Sequence, residues 1–326
     1  MLSKSTHVYA HHDIPLECDV YTQDATSDTH VFLYFHPGGL VGWGREFVAP
    51  WLVQACLQRK WTLISASYRL MPQVGAHGLL EDVKAAYGFA REWAAKDGRE
   101  RQVIVGGASA GFFTSAVVAN HCSPPPLALF AISGIHTFRH SFFNSSTLIL
   151  PEPIEYSDVA EFIARPIEVG KNDEGSIATF ELDKLLADGS KNPNYKPPEA
   201  PVVPDPPKYT RGALYEYYIY KNAWVNLLGE IDPGYSWTQN PDNGERVKSW
   251  PPTVLLHGDA DRHVPLDIPQ QMQECLGNEK VMLFVAEGQE HLFETFYYLE
   301  DDKPGMDQVR LALKRLDDIV SAANSK

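Results

Sequence analysis

The feature that most constrains this chain is a series of short apolar runs that do not alternate with polar residues. "VFLYFH" (31–36), "WTLISASYR" (61–69), "RQVIVGG" (101–107), "LALFAISG" (127–134), "PTVLLHG" (252–258) and "KVMLFVAEG" (280–288) are rich in β-branched or aromatic side chains, with Gly or Pro at their ends. A strand with one wet face alternates; a strand buried on both faces does not, and burial on both faces belongs to parallel sheets. Helical periodicity fills intervals between the runs. Leu80, Val83, Tyr87, Ala90 and Ala94 recur at helical spacing, as do Val309, Leu313, Leu316, Val320 and Ala323. Strands alternating with helices specify an α/β fold, with a mostly parallel central sheet and helices on both faces. The segment around "ECDVYTQD" supplies antiparallel edge strands at the start.

The rhythm breaks over residues 139–250. "NPNYKPPEAPVVPDPPK" (192–208) cannot be helix or central strand, because proline removes backbone donors and fixes φ. "YTRGALYEYYIYKNAWVNLLGE" (209–230) follows, aromatic-rich and helical in pattern. The region is too long and too apolar for a loop. It reads as a cap inserted into a core formed by residues 1–138 and 251–326.

Composition excludes several function classes. The chain has 326 residues, 44% of them hydrophobic, enough for one large core, and a formal net charge of −14. An acidic surface repels phosphate backbones, so no nucleic-acid partner is expected. The four cysteines, Cys18, Cys56, Cys122 and Cys275, are scattered and suit neither a zinc site nor a disulfide framework. His11, His12 and Asp13 are adjacent, and neighbours on an edge strand point to opposite faces, so no metal site is expected. No G-x-G-x-x-G or P-loop occurs, so no cofactor is implied. No run of about 18 apolar residues spans a membrane, and the N-terminus lacks the apolar run of a signal peptide. A cytoplasmic protein is expected, with the sequon at Asn144 unglycosylated.

One stretch carries chemistry. In "VIVGGASAG" (103–111) a serine stands among residues with almost no side chains. A sharp turn from strand to helix needs small flanks, supplied here by Gly107, Ala108, Ala110 and Gly111, and it lifts Ser109 Oγ above the strand ends. A serine hydroxyl is a weak nucleophile and needs a base, which in turn needs an orienting carboxylate. "LLHGDADRHVP" (255–265) offers Asp259 and Asp261 after one strand. "EGQEHLF" (287–293) offers His291 after the last.

These elements together resemble the hormone-sensitive-lipase-type esterases of the α/β-hydrolase fold. That family shows H-G-G-G, Y-R-L-x-P, G-D-S-A-G and G-x-x-D-x-x-x-P, then a final His. Here "HPGG" (36–39), "YRLMP" (68–72), "GASAG" (107–111), "HGDADRHVP" (257–265) and "EHLF" run in the same order across nearly the whole chain. The resemblance implies a catalytic set of Ser109, Asp261 and His291, the G-x-x-D spacing selecting Asp261 over Asp259. It implies an oxyanion hole from the N–H groups of Gly38, Gly39 and Ala110. The sequence departs from the family at Pro37, which lacks an N–H and stiffens the glycine loop. It departs again at Ala108, in place of an acidic residue, and at Phe112, in place of a glycine. His36 is expected to shape the loop through hydrogen bonds.

The expected activity is hydrolysis of a small or medium carboxylic ester of a metabolite through an acyl-enzyme on Ser109. Three other readings stand beside it. One is a specialised biosynthetic hydrolase, lyase or dehydratase on a natural product. Another is an amide or formamide hydrolase, and the last a non-catalytic small-molecule binder. Tyr217, Tyr220 and Trp224 share one face at helical spacing. They pack the cap's own core or form an aromatic wall for a bulky apolar substrate, and "FRHSFFN" (138–144) is a further candidate for that wall. The sequence leaves a homodimer open.

Overall fold

The computed structural model describes residues 2–23, 30–94, 98, 100–173, 175–199, 201–202 and 207–325. The proline-rich reading of 192–208 therefore lies partly outside the described residues, at 200 and 203–206. Two strands open the chain, β1 (Ser3–His12) and β2 (Ile14–Thr22), paired antiparallel. The order continues β3 (His30–Phe35), α1 (Pro50–Gln58), β4 (Thr62–Ala66), α2 (Gly75–Glu92), β5 (Gln102–Ala108), α3 (Ala110–His121) and β6 (Ala128–Ile132). After a long excursion carrying α4 (Tyr156–Ile163), α5 (Ala213–Tyr220), α6 (Trp224–Leu228) and α7 (Gly244–Ser249), the chain returns to β7 (Thr253–Gly258), α8 (Asp267–Leu276), β8 (Val281–Ala286) and α9 (Met306–Asn324).

Among the described residues these strands form one eight-stranded sheet in the order β1-β2-β4-β3-β5-β6-β7-β8. Every pairing from β4 through β8 is parallel, and β2 joins β4 antiparallel. The unalternating runs are thus sheet interior, as their composition predicts. Val31, Leu33 and Phe35 belong to one buried cluster, with residues of α2, α3 and α8. Phe32 and Tyr34 point the other way, into a cluster with Trp51 and Leu52 of α1 and Val309, Leu313 and Leu316 of α9. Alternate residues of one strand serve two cores, so no position on it can be polar without loss of buried apolar area.

The order also creates the crevice. The chain leaves β3 towards β4 on one side and leaves β5 towards β6 on the other, while β3 and β5 themselves pair. Loops diverging from adjacent strand ends leave a gap at the carboxyl edge, where open α/β sheets bind ligands. The excursion between β6 and β7 is packed into the core rather than hung from it. Phe143, Phe162, Leu214, Trp224, Ile231 and Trp250 all belong to the cluster that contains β3 and β5. Short bridges tie it to the strand-end loops, Phe47 with Thr179 and Arg69 with Val169. Among the described residues no helix is long and apolar enough to cross a membrane.

The aromatic stretch 209–230 is two helices, not the single helix its pattern suggests. Asn222, at φ +54°, ends the first of them. Asparagine tolerates the left-handed conformation. Its side chain also binds Ser146, accepting from the backbone N–H at 2.7 Å and donating to Oγ at 2.8 Å. Trp224 consequently starts a new helix and does not share a face with Tyr217 and Tyr220. At the other end of the chain His12 is held by Asp82, Nδ1 to Oδ1 at 2.9 Å. The carboxylate of Asp82, fully buried, also accepts from the backbone N–H of Arg69 at 2.9 Å and from its Nε at 3.0 Å. The Arg69 guanidinium reaches Asp13 as well.

Two expectations follow from the buried charges. Removing one partner of a buried ion pair strands the other, so Asp82→Ala should cost about 3–5 kcal/mol of stability in denaturant unfolding. Glu294 is the second case: it is 1% exposed and its Oε2 has no hydrogen-bond partner. Burial pushes its carboxyl up from 4.5 to about 7, with Asp261 adding to the effect. An acid raised in the folded state favours folding in its neutral form. That contribution is complete below the unfolded value and is lost as pH rises through about 7. The neutral isostere Glu294→Gln should match wild type near pH 4 and exceed it at pH 8 by up to about 3 kcal/mol. Comparing the two proteins at each pH isolates this group from the buried histidines, which titrate in both.

Candidate active site

Strand β5 ends at Ala108 and α3 begins at Ala110, leaving one residue to turn the chain. Ser109 takes φ +51° and ψ −126°, a conformation that L-residues rarely adopt and that costs about 1–3 kcal/mol. The small flanks are a steric requirement. A Cβ on Gly107 would sit 2.2 Å from the carbonyl of Gly111, and a Cβ on Gly111 would sit 2.1 Å from the carbonyl oxygen of Phe35. Ser109 is pinned on both sides of the peptide, its N–H donating to Ile132 at 2.8 Å and its carbonyl accepting from Ile135 at 3.0 Å.

The structure brings His291 to this serine. Nε2 lies 3.1 Å from Ser109 Oγ, and Nδ1 lies 2.6 Å from Asp261 Oδ2. These residues are supplied by the turns after β5, β7 and β8, all on the carboxyl edge, with β6 lying between β5 and β7 in the sheet. The other oxygen of Asp261 accepts the backbone N–H groups of His263 and Val264, each at 2.9 Å. His257 Nε2 approaches both the Val264 carbonyl, at 2.6 Å, and Asp261 Oδ2, at 3.3 Å. Burial works to raise the Asp261 carboxyl, but hydrogen bonds from His257 and His291 outweigh it and hold the group well below the usual carboxylate range. Asp261 is therefore an anion in position to select the Nδ1–H tautomer of His291, which leaves Nε2 free to accept from the serine. Asp259, the other carboxylate of that loop, is exposed and accepts instead from Gly288 N–H at 2.6 Å.

The glycine loop after β3 lies beside this set. Pro37, Gly38, Gly39, Ser109 and His291 line one cavity of about 670 Å³. Gly38 and Gly39 stand at φ +108° and +63°, and the Gly38 carbonyl is turned away to accept from Val41 and Gly42 at 2.9 and 3.0 Å. Ala110 opens α3, so its N–H is among those without a partner inside the helix. His36 shapes the loop from below, Nδ1 donating to the Pro37 carbonyl at 2.8 Å. Burial pushes this imidazole down to about 4, so it is neutral near pH 7. Its ring stacks on Tyr68 at 4.2 Å, and the Tyr68 hydroxyl donates to the His36 carbonyl at 2.9 Å. The YRLMP motif thus buttresses the loop.

The aromatic residues proposed for substrate contact are elsewhere. Tyr217, Tyr220 and Trp224 do not line this cavity. Trp224 is fully buried and stacks on Phe138 at 4.5 Å, so the 138–144 stretch packs the core beneath it rather than the cavity wall. The turn at Asn222 sends Trp224 inward, while Tyr217 and Tyr220, ahead of the turn, stay partly exposed. The wall is made instead by Trp43, Phe47, Tyr209, Tyr215 and Phe296, with Glu216 among them.

Two residues that sequence reasoning missed hold this wall in place. Tyr215 packs on the backbone of Gly39, where a Cβ would meet its ring at 2.8 Å, and its hydroxyl donates to the His263 carbonyl at 2.9 Å. Arg211, at the head of α5, donates to the carbonyls of Val41, Phe162 and Met71 at 2.7, 3.0 and 2.9 Å and pairs with Glu168 at 3.0 Å. No local pattern marks an arginine whose partners are distant main-chain carbonyls.

Known proteins agree with this architecture. A family model described as the α/β hydrolase fold matches residues 32–141. Lipase 2 of Moraxella sp. (strain TA144) is 30% identical over 105 residues, 32% of this chain and 24% of that lipase, so the match spans about a quarter of the relative. An α/β hydrolase superfamily protein from Enterococcus faecalis superposes with a TM-score of 0.66 at 15% identity, over 97% of each chain. Carboxyl esterase 2 from Tuber melanosporum superposes at 0.56 and 16% identity, covering 96% of this chain and 85% of that one. At these identities the solved structures speak to the fold. With the strand order, these matches show that the chain has the α/β-hydrolase fold, and residues 32–141 are the part that resembles the family in sequence.

Proposed function

We propose that this protein is a serine hydrolase that cleaves a small or medium carboxylic ester of a metabolite through an acyl-enzyme on Ser109. The observation that carries the reading is the bridging imidazole, one nitrogen 3.1 Å from a serine hydroxyl and the other 2.6 Å from a buried carboxylate. In this mechanism Ser109 Oγ attacks the ester carbonyl while His291 Nε2 takes its proton. Asp261 stabilises the imidazolium that forms. The N–H groups of Gly38, Gly39 and Ala110 receive the carbonyl oxygen as it becomes an oxyanion, each donor worth about 2.7–4 kcal/mol in the transition state. His291 then protonates the departing alcohol, and a water activated by the same imidazole cleaves the acyl-enzyme, regenerating Ser109 and releasing the acid.

Residues 139–250 act as the cap in this reading. Tyr209, Tyr215 and Glu216 supply its side of the cavity, and Arg211 and Tyr215 fasten it to the loop that holds the oxyanion donors. A cavity of about 670 Å³ is within the range that takes small organic ligands. The names of the lipase and esterase relatives favour ester over amide chemistry for this chain as well.

The test joins labelling to turnover. A fluorophosphonate probe should modify Ser109 in the folded protein, located by mass spectrometry, and Ser109→Ala should lose the adduct. Hydrolysis of para-nitrophenyl acetate or butyrate should fall by about 10⁴-fold or more in Ser109→Ala, and by about 10⁴-fold in Asp261→Asn, where the imidazole is left in the wrong tautomer. Turnover that survives Ser109→Ala, or a label on another residue, would overturn the assignment.

A further inference from the structure

We propose that Glu216 makes this site selective for esters that carry a positive charge, a quaternary or protonated amine held between its carboxylate and the aromatic rings at the cavity mouth. This rests on the serine-hydrolase reading above and adds the substrate class. Glu216 lies on α5 and lines the same cavity as Ser109 and His291. It is half-buried, and among the described residues no salt bridge or side-chain hydrogen bond engages its carboxylate. Lost hydration raises the group above its usual range; a hydrogen bond from its own backbone opposes the rise, and no cation contributes. The other charges around the cavity, Lys208, Arg262 and Glu290, are exposed at the rim. There water and salt screen them, and the Lys208 ammonium lies over the Tyr209 ring at 4.7 Å.

A second, independent feature fits the same ligand. Trp43 and Phe296 line the cavity and are 43% and 49% exposed, unusual for rings of that size. Trp43 is fixed in place, with φ +59° and its ring 4.3 Å from that of Phe47. A solvent-facing indole lining the same cavity as an unpaired carboxylate attracts a cation through its π face, and the carboxylate attracts it through charge. A neutral apolar group would use the rings equally well, but it would strip Glu216 of its remaining water without compensation. Selectivity therefore comes as much from rejecting the neutral ester as from holding the charged one. The formal net charge of −14 works in the same direction, drawing cations towards the protein.

The experiment compares esters that differ only by nitrogen or carbon at one atom. Choline esters are set against their neutral dimethylbutyl counterparts, and nitrophenyl esters of trimethylammoniobutyric acid against the all-carbon analogue, to cover both sides of the ester bond. In at least one pair the charged member should have the higher kcat/KM by about tenfold. Glu216→Gln should bring that ratio close to one, and Glu216→Asp should keep part of it. Glu230→Gln is the control, because it removes the same unit of charge from a surface residue paired with His77. It should leave the ratio unchanged. Ratios of one or below in both pairs, a ratio that survives Glu216→Gln, or an equal fall in both Gln variants would overturn the proposal. If no ester is hydrolysed, the esterase reading fails separately. Calorimetric binding of phenyltrimethylammonium then decides the role of Glu216: binding lost in Glu216→Gln supports it, and no binding to wild type overturns it.

Discussion

The site depends on one close approach: α3 starts almost on top of the ends of β3 and β5. Backbone packs against backbone there, with no room for a Cβ at Gly107 or Gly111. That approach forces the intervening residue into a left-handed conformation, and the residue is Ser109. It also places the first amides of α3 beside the glycine loop that follows β3. The serine turn and the start of α3 beside the glycine loop thus share one steric cause. The strain at Ser109 is tolerated because the main chain is hydrogen-bonded on either side, to Ile132 and from Ile135.

A second constraint links the excursion between β6 and β7 to that centre. Arg211 replaces the water that the carbonyls of Val41, Phe162 and Met71 would otherwise need, and Glu168 offsets its charge. A buried guanidinium satisfied in this way resists displacement, since pulling it out leaves several acceptors unpaired at once. Tyr215 extends the lock, joining the glycine loop to the loop that carries Asp261. The wall facing the serine is therefore set by the same contacts that hold the glycine loop.

Much of this was legible in the sequence because the physics is local. A strand with both faces buried must be apolar throughout, so β3 to β8 are recognisable from their composition. The turn at Ser109 needs small neighbours at fixed offsets, the loop after β7 offers two acids, Asp259 and Asp261, and the residues after β8 offer a single histidine, His291. The close agreement between the expected and observed strands has that origin. So does the separation of Asp261 from Asp259: the motif spacing favours the first, and the geometry turns the second away towards Gly288.

What was not legible depends on contacts far apart in the chain. The aromatic run 209–230 has helical spacing throughout, and periodicity alone extends one helix across it. The break comes from Asn222, whose side chain binds Ser146, 76 residues away in sequence. That one turn sends Trp224 into the core against Phe138 and leaves Tyr215 and Glu216 facing the cavity. A residue displaced by less than one helical turn changes from wall to core, so a face assigned from spacing fails wherever a helix stops early. Long-range polar contacts such as those of Asn222 and Arg211 decide which side chains a ligand meets. The convergence of Ser109, His291 and Asp261 can therefore be read from short motifs, whereas the lining of the cavity beside them resides in contacts that no motif encodes.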